Sequence, residues 1–164
     1  MPGLSVGIRR ATINDVAELN HVRAMAIGSK VAREDLRTRI DAANVFTYLA
    51  EEDTPFGFVT VGTAEALVQP AEALDDATGE ILEWYLRPEF WHLGFGAKLL
   101  VHGLSVLKRR MYERAIIWLP EKAGRAETIT LRLGFEHHGA EKIVNDSAGS
   151  HSAHALIKDL SEYF

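Results

Sequence analysis

The chain has 164 residues, no cysteine, and 18 basic against 23 acidic side chains, a formal net charge of −5. That length suits one domain around a single core, and the 47% hydrophobic and 25% charged fractions are those of a soluble globular chain. The missing cysteines exclude disulfides, thiolate metal sites and a cysteine nucleophile. The mild negative charge, without a basic block, argues against nucleic acid as a partner and suits a cationic small molecule better. No apolar run is long enough to span a membrane, and the first residues lack the basic and apolar regions of a secretory signal. A cytoplasmic protein is the expectation.

Hydrophobic periodicity predicts alternating strands and helices. A strand over Ser5 to Arg9 leads to Thr12 and Asn14, either of which could cap a helix running to about Ala26. A charged helix is predicted over Ala32 to Ala42, with apolar positions so sparse that a lid is one reading. Phe46 to Glu51 and Phe56 to Gly62, joined by Glu52-Asp53-Thr54-Pro55, predict an antiparallel hairpin. Thr63 to Gly79, with Glu72, Asp75 and Asp76, reads as a surface excursion. Glu80 to Leu86 is the next strand, ended by Arg87-Pro88.

A helix from about Gly94 to Arg110 follows, with Leu99, Leu100, Gly103, Leu104 and Leu107 on one face. A strand over Ala115 to Leu119, a helix from about Ala123 to Leu133 stopped by Gly134, and strands near Phe135 to Gly139 and Ala153 to Lys158 complete the order. Neither repeat nor linker interrupts it, so residues 1–164 are expected to form one domain. Only two helices stand as crossovers, which predicts an α/β fold with a mostly antiparallel mixed sheet that splits where a strand precedes a crossover.

Two glycines sit at such a crossover, in Phe90-Trp91-His92-Leu93-Gly94-Phe95-Gly96-Ala97. They are either a tight turn or a place where a helix N-terminus offers backbone N–H groups to an anion. A dinucleotide fingerprint fails, because Leu99 stands where a third glycine is required, and the Gly-Lys-Ser/Thr of a phosphate loop is missing.

Taken in order, Arg9 to Asp15, Glu80-Ile81 to Phe90, Gly94-Phe95-Gly96 to Leu100, and Leu133-Gly134-Phe135 resemble the GNAT superfamily of acyl-CoA N-acyltransferases, almost end to end. The resemblance implies a sheet splayed into a V with helices on both faces. Acetyl-CoA would lie in the cleft as cosubstrate, its pyrophosphate on the loop His92, Leu93, Gly94, Phe95, Gly96 and Ala97. Trp91 and Leu93 depart from the polar or basic residues usual there, and His92 could supply part of the lost charge near a phosphate. Trp91 itself is read as a packed anchor or an adenine-side contact.

At neutral pH only about one aliphatic amine in a thousand is the neutral nucleophile, so transfer needs a proton acceptor. The resemblance assigns the general base to Glu80, with Glu83 as fallback. Strict alternation would put Glu80, Leu82, Trp84 and Leu86 on one face of the strand, and Ile81, Glu83 and Tyr85 on the other. The resemblance also assigns the backbone of Trp84 and Leu86 to the pantetheine arm and the thioester carbonyl. Where the family often has a tyrosine acid, this chain has Thr130, able at most to orient a water; Tyr85, Tyr112 and Tyr163 are the other phenols considered.

His137, His138, His151 and His154 raise a metal reading. Neighbours and residues three apart on a strand face opposite ways, so neither local pair converges, and no metal is expected. The activity implied is N-acetyl transfer to a primary amine of a small molecule by direct attack in a ternary complex. The alternatives are a protein or peptide acceptor, or a CoA-binding module without efficient catalysis. A homodimer is compatible with such a fold.

Overall fold

A computed structural model of the chain describes residues 6–27, 36–64, 77–146 and 149–161. Residues 32–35 of the predicted lid helix, residues 65–76 of the excursion and Tyr163 lie outside the described residues.

Seven strands form one sheet in the order β1-β2-β3-β4-β5-β7-β6. The strands are β1 (Gly7–Arg10), β2 (Val45–Glu51), β3 (Pro55–Thr63), β4 (Thr78–Leu86), β5 (Arg114–Pro120), β6 (Glu136–Asp146) and β7 (Gly149–Asp159). Every neighbouring pair is antiparallel except β4 and β5. The helices are α1 (Val16–Ile27), α2 (Arg37–Asp41), α3 (Phe95–Arg109) and α4 (Arg125–Arg132).

The two faces of the sheet are buried differently. Phe56, Val59, Val61 and Ile81 pack with Leu99, Leu100, Leu104 and Leu107 of α3, all essentially inaccessible to water. Each such leucine contributes about 1.5–3 kcal/mol by leaving water. Gly103 lets the helix approach closely, since a Cβ there would stand 3.0 Å from Val61 Cγ1 and 3.2 Å from Val59 Cγ2. On the other face a smaller cluster joins Leu19 and Val22 of α1 to Leu36, Leu49 and Phe58. Phe58 and Val59 are adjacent in β3 and serve opposite cores, as strand alternation requires.

The edge of the sheet is tied to the first helix by charge. Arg9 of β1 donates to Glu51 at 2.7 Å and to Asp15 at 2.8 Å, and Asp15 also accepts the Thr12 backbone N–H at 2.8 Å. The turn Ile13–Asp15 is 3-10, so regular α-helix starts only at Val16, later than either predicted cap implies. The largest departure from the sequence reading is the final hairpin. β6 and β7 run for 11 residues each, whereas the sequence marks about half of that. Their outer halves are mostly exposed and polar, and without a buried face there is no alternation to see.

Hydrogen bonds from Arg9, then from Thr12, hold the Asp15 carboxyl below the ordinary carboxylate range. A depressed folded-state pKa means the contribution is present above the unfolded value of 3.8 and is lost as pH falls through the folded one. Asp15→Asn should therefore cost about 1 kcal/mol in urea denaturation at pH 7, the usual size of a lost cap-type bond. The difference from the parent chain should shrink as pH drops below the unfolded value; a deficit independent of pH would contradict this account.

Candidate active site

β4 and β5 pair in parallel over only four residues each, Thr78–Ile81 opposite Arg114–Ile117. Beyond them β4 stays with β3 as far as Leu86, while Trp118, Leu119 and Pro120 of β5 stay with β7. The two strands part, and the sheet opens as the predicted V. Backbone groups on the inner edges of the V have lost their strand partner, a strongly polar surface inside the protein.

Which groups face the opening follows from the ladder. The Arg87 N–H donates to the Phe56 carbonyl at 2.8 Å. Hydrogen-bonded pairs alternate along an antiparallel ladder, so Tyr85 and Glu83 also direct their amides to β3, and Trp84 and Leu86 direct theirs into the cleft. The Leu86 carbonyl accepts the Trp91 indole N–H at 3.1 Å. Trp91 is thus an anchor of the loop that follows β4, with two-fifths of its surface still in water.

The loop has the shape of an anion cradle. His92 (φ 68°) and Gly94 (φ 86°) both take the left-handed conformation, and a turn with such residues curls successive N–H groups toward one point. Gly94 is the N-cap of α3 and makes no side-chain cap bond. The first N–H groups of a helix, here Phe95, Gly96 and Ala97, have no intrahelical acceptor, and the helix dipole adds positive potential there. The Trp84 indole N–H donates to the Gly96 carbonyl at 3.0 Å, fixing this corner to β4. Gly96 is buried under Leu86, Ile129 and Trp84, whereas Leu93 is well exposed.

A basic side chain stands after the glycines rather than directly before them. Lys98, one turn into α3, is exposed with its ammonium 5.7 Å from the Phe95 ring, and its spacing from Gly94 is the signal that could have found it. Arg87 is engaged by Glu89 at 2.8 Å. Glu89 is itself held below the usual carboxylate range, first by its own backbone N–H and also by Arg87.

The predicted faces of β4 need correction. Thr60 pairs with Glu83 and Val61 with Ile81, leaving Leu82 as a bulge. An extra residue reverses the alternation beyond it. Ile81, Trp84 and Leu86 therefore share the α3 side, and Glu80, Glu83 and Tyr85 share the α1 side. Glu80 and Glu83 are not on opposite faces, and both are buried, at 5% and 9% exposure.

Glu83 accepts from the buried Arg23 of α1 at 3.1 Å, and Arg39 Nε stands 3.6 Å from the same oxygen. Beside them the hydroxyls of Thr47 and Thr60 are 2.8 Å apart. Glu83 is thus a buried carboxylate bonded to one guanidinium group and close to a second. Thr130 is fully buried and its hydroxyl donates to the Ala126 carbonyl within its own helix, which leaves it no role as an acid. Tyr112 bonds Thr63 at 2.6 Å, at the end where β4 and β5 still pair, and Tyr85 packs on Phe58 on the α1 side.

The residues 15–135 match the model of the acetyltransferase (GNAT) family, and the chain belongs to that family. No curated protein sequence matches it. Among solved structures, it is similar to the ribosomal-protein-S18-alanine N-acetyltransferase of Escherichia coli, at 12% identity, TM-score 0.73 and 94% coverage of both chains. It is also similar to the spermidine/spermine N-acetyltransferase SpeG of Vibrio cholerae, at 11% identity and TM-score 0.74, covering 98% of this chain and 97% of that one. A third is the PaiA N-acetyltransferase of Thermoplasma acidophilum in complex with coenzyme A, at 17% identity and TM-score 0.67, covering 94% and 99%. At these identities the likeness establishes the fold, and the acceptors in the names of the first two, a protein and polyamines, are of different kinds.

Removing one partner of a buried ion pair strands the other charge, at a typical cost of 3–5 kcal/mol. Arg23→Ala should destabilise the protein by about 3 kcal/mol in urea denaturation, the lower end because Arg39 remains near Glu83. The double variant Arg23→Met/Glu83→Met should recover most of it. A single-variant loss under about 1 kcal/mol would show that the pair is solvated.

Proposed function

We propose that this chain transfers an acetyl group from acetyl-CoA to a primary amine of a small molecule, by direct attack within a ternary complex. The observation that carries the proposal is the conjunction of an unpaired β4 edge at Trp84 and Leu86 with the open N-terminus of α3. Those two features lie on one path and match the two chemically distinct parts of the cosubstrate. The amide-rich pantetheine arm suits the strand edge, and the diphosphate suits the N–H groups of the His92–Ala97 loop. One strand N–H at the thioester carbonyl would act as an oxyanion donor, a kind of contact worth about 10²–10³ in rate.

The acceptor amine would enter from the α1 side, since the α3 side of β4 is filled by helix. On that side we assign the proton to Glu80, the carboxylate the family resemblance names, and give Glu83 the task of holding Arg23 and Arg39. A thiol leaving group, with a pKa of about 8.5, can depart largely as thiolate, so the absence of a phenol at position 130 does not block the reaction. A small acceptor is preferred because nothing in the sequence resembles a peptide-recognition motif, and the single domain expected over 1–164 would act in the cytoplasm.

Thiol release from acetyl-CoA, followed with a panel of polyamines, amino acids, other small amines and peptides, tests this reading. The expected result is release that depends on one class of small amine. Release with peptides only would move the acceptor to proteins, and CoA binding without any acceptor-dependent release would make the chain a binding module. With the acceptor found, Glu80→Gln should lower turnover most at low pH, where neutral amine is scarcest. An unchanged pH–rate profile would remove Glu80 from the role.

A further inference from the structure

Histidines near one another in this sequence point apart, so no local pair can hold a metal. The sheet brings together two that are distant. His137 lies in β6 opposite Leu156 of β7, and His154 is two residues from Leu156, so both imidazoles stand on the same face as diagonal neighbours. Their rings are 5.5 Å apart and nearly parallel, with 28° between planes. After His137, with Gly139 at φ 90°, a bulge sets three residues of β6 against one of β7.

The first helix turn of α4 supplies a carboxylate to the same point. Glu127 Oε1 is 3.3 Å from His154 Nε2 and 3.5 Å from His137 Nε2, and all three donor atoms lie within 4.8 Å of one another.

We propose that Glu127, His137 and His154 form a binding site for a divalent transition metal of the Zn²⁺ class. A tetrahedral ion about 2.1 Å from each donor separates the donors by roughly 3.4 Å, the spacing that Glu127 already makes with both rings. Two imidazoles and one carboxylate select the borderline transition metals over Mg²⁺ and Ca²⁺, which take oxygen ligands. His137 is 57% exposed, so the fourth position opens to water. The three ligands come from α4, β6 and β7, and the ion would clip the helix to the hairpin. Ile129, one turn below that helix start, has its side chain against Gly96 of the proposed cradle, which joins the clip to the cofactor loop. The site does not depend on the catalytic reading, because none of its ligands belongs to the proposed acetyl-transfer machinery.

Isothermal titration of tag-free, metal-stripped full-length protein with Zn²⁺ tests the site, with Co²⁺ absorption reporting the geometry. The expected result is one equivalent of Zn²⁺, a raised melting midpoint, a four-coordinate Co²⁺ spectrum and no comparable heat with Mg²⁺. His154→Ala and His137→Ala should each weaken Zn²⁺ at least tenfold, and His151→Ala, on the exposed outer part of the hairpin, should bind as the parent does. The exposed His137 keeps the test valid even if the His154 variant folds poorly. Less than half an equivalent bound, or His137→Ala binding as tightly as the parent, would overturn the proposal.

Discussion

Everything distinctive in this molecule depends on β4 and β5 ceasing to pair after Ile81 and Ile117. Four paired residues hold the two arms of the sheet together, and beyond them each strand keeps only its outer neighbour. A sheet with a gap in its middle would normally be costly, because the inner edges carry amides without partners. Here the gap is framed by α3, whose start is bonded to β4 through the Trp84 indole, and by α4, whose Ile129 closes over Gly96. Among the described residues, no strand pairs with the inner edge of β4 beyond Ile81.

The two sides of that edge are built from different chemistry. The α3 side is aliphatic and aromatic, a dry wall of leucines against Val59, Val61 and Ile81. The α1 side carries a buried polar group of Arg23, Glu83, Thr47 and Thr60 within its smaller core. The bulge at Leu82 creates this division, because it turns Glu80 and Glu83 to the same side while Trp84 and Leu86 face the helix. A carboxylate such as Glu83, bonded to one guanidinium group and close to a second, fixes α1 and Arg39 of α2 beneath the cleft. Glu80, on the other side of the bulge in β4, lies on the same face and is likewise buried.

Much of this was legible in the residues. The leucine stripe of α3, the proline stops after β4 and at the end of β5, and Gly134 after α4 each leave a local physical signature, and those elements lie close to where the sequence puts them. The glycine pair at the start of α3 was legible for the same reason, since a left-handed N-cap at Gly94 requires glycine or strain. Three things were not legible. The Leu82 bulge has no residue signature, so alternation assigned Glu80 to the wrong face. The outer half of the β6–β7 hairpin lacks a buried side, so periodicity is silent there. The meeting of His137, His154 and Glu127 is a matter of register between strands and of helix docking, which neighbouring residues do not encode.

With the cleft edge and the α3 start proposed as one continuous surface for CoA, amide resonances report on that surface directly. Titrating ¹⁵N-labelled protein with CoA should shift the amides of Trp84 and Leu86 together with those of Phe95, Gly96 and Ala97, and leave the β1–β2 arm largely unmoved. CoA that leaves those five amides unchanged, or shifts only residues outside the opening between β4 and β5, would contradict it.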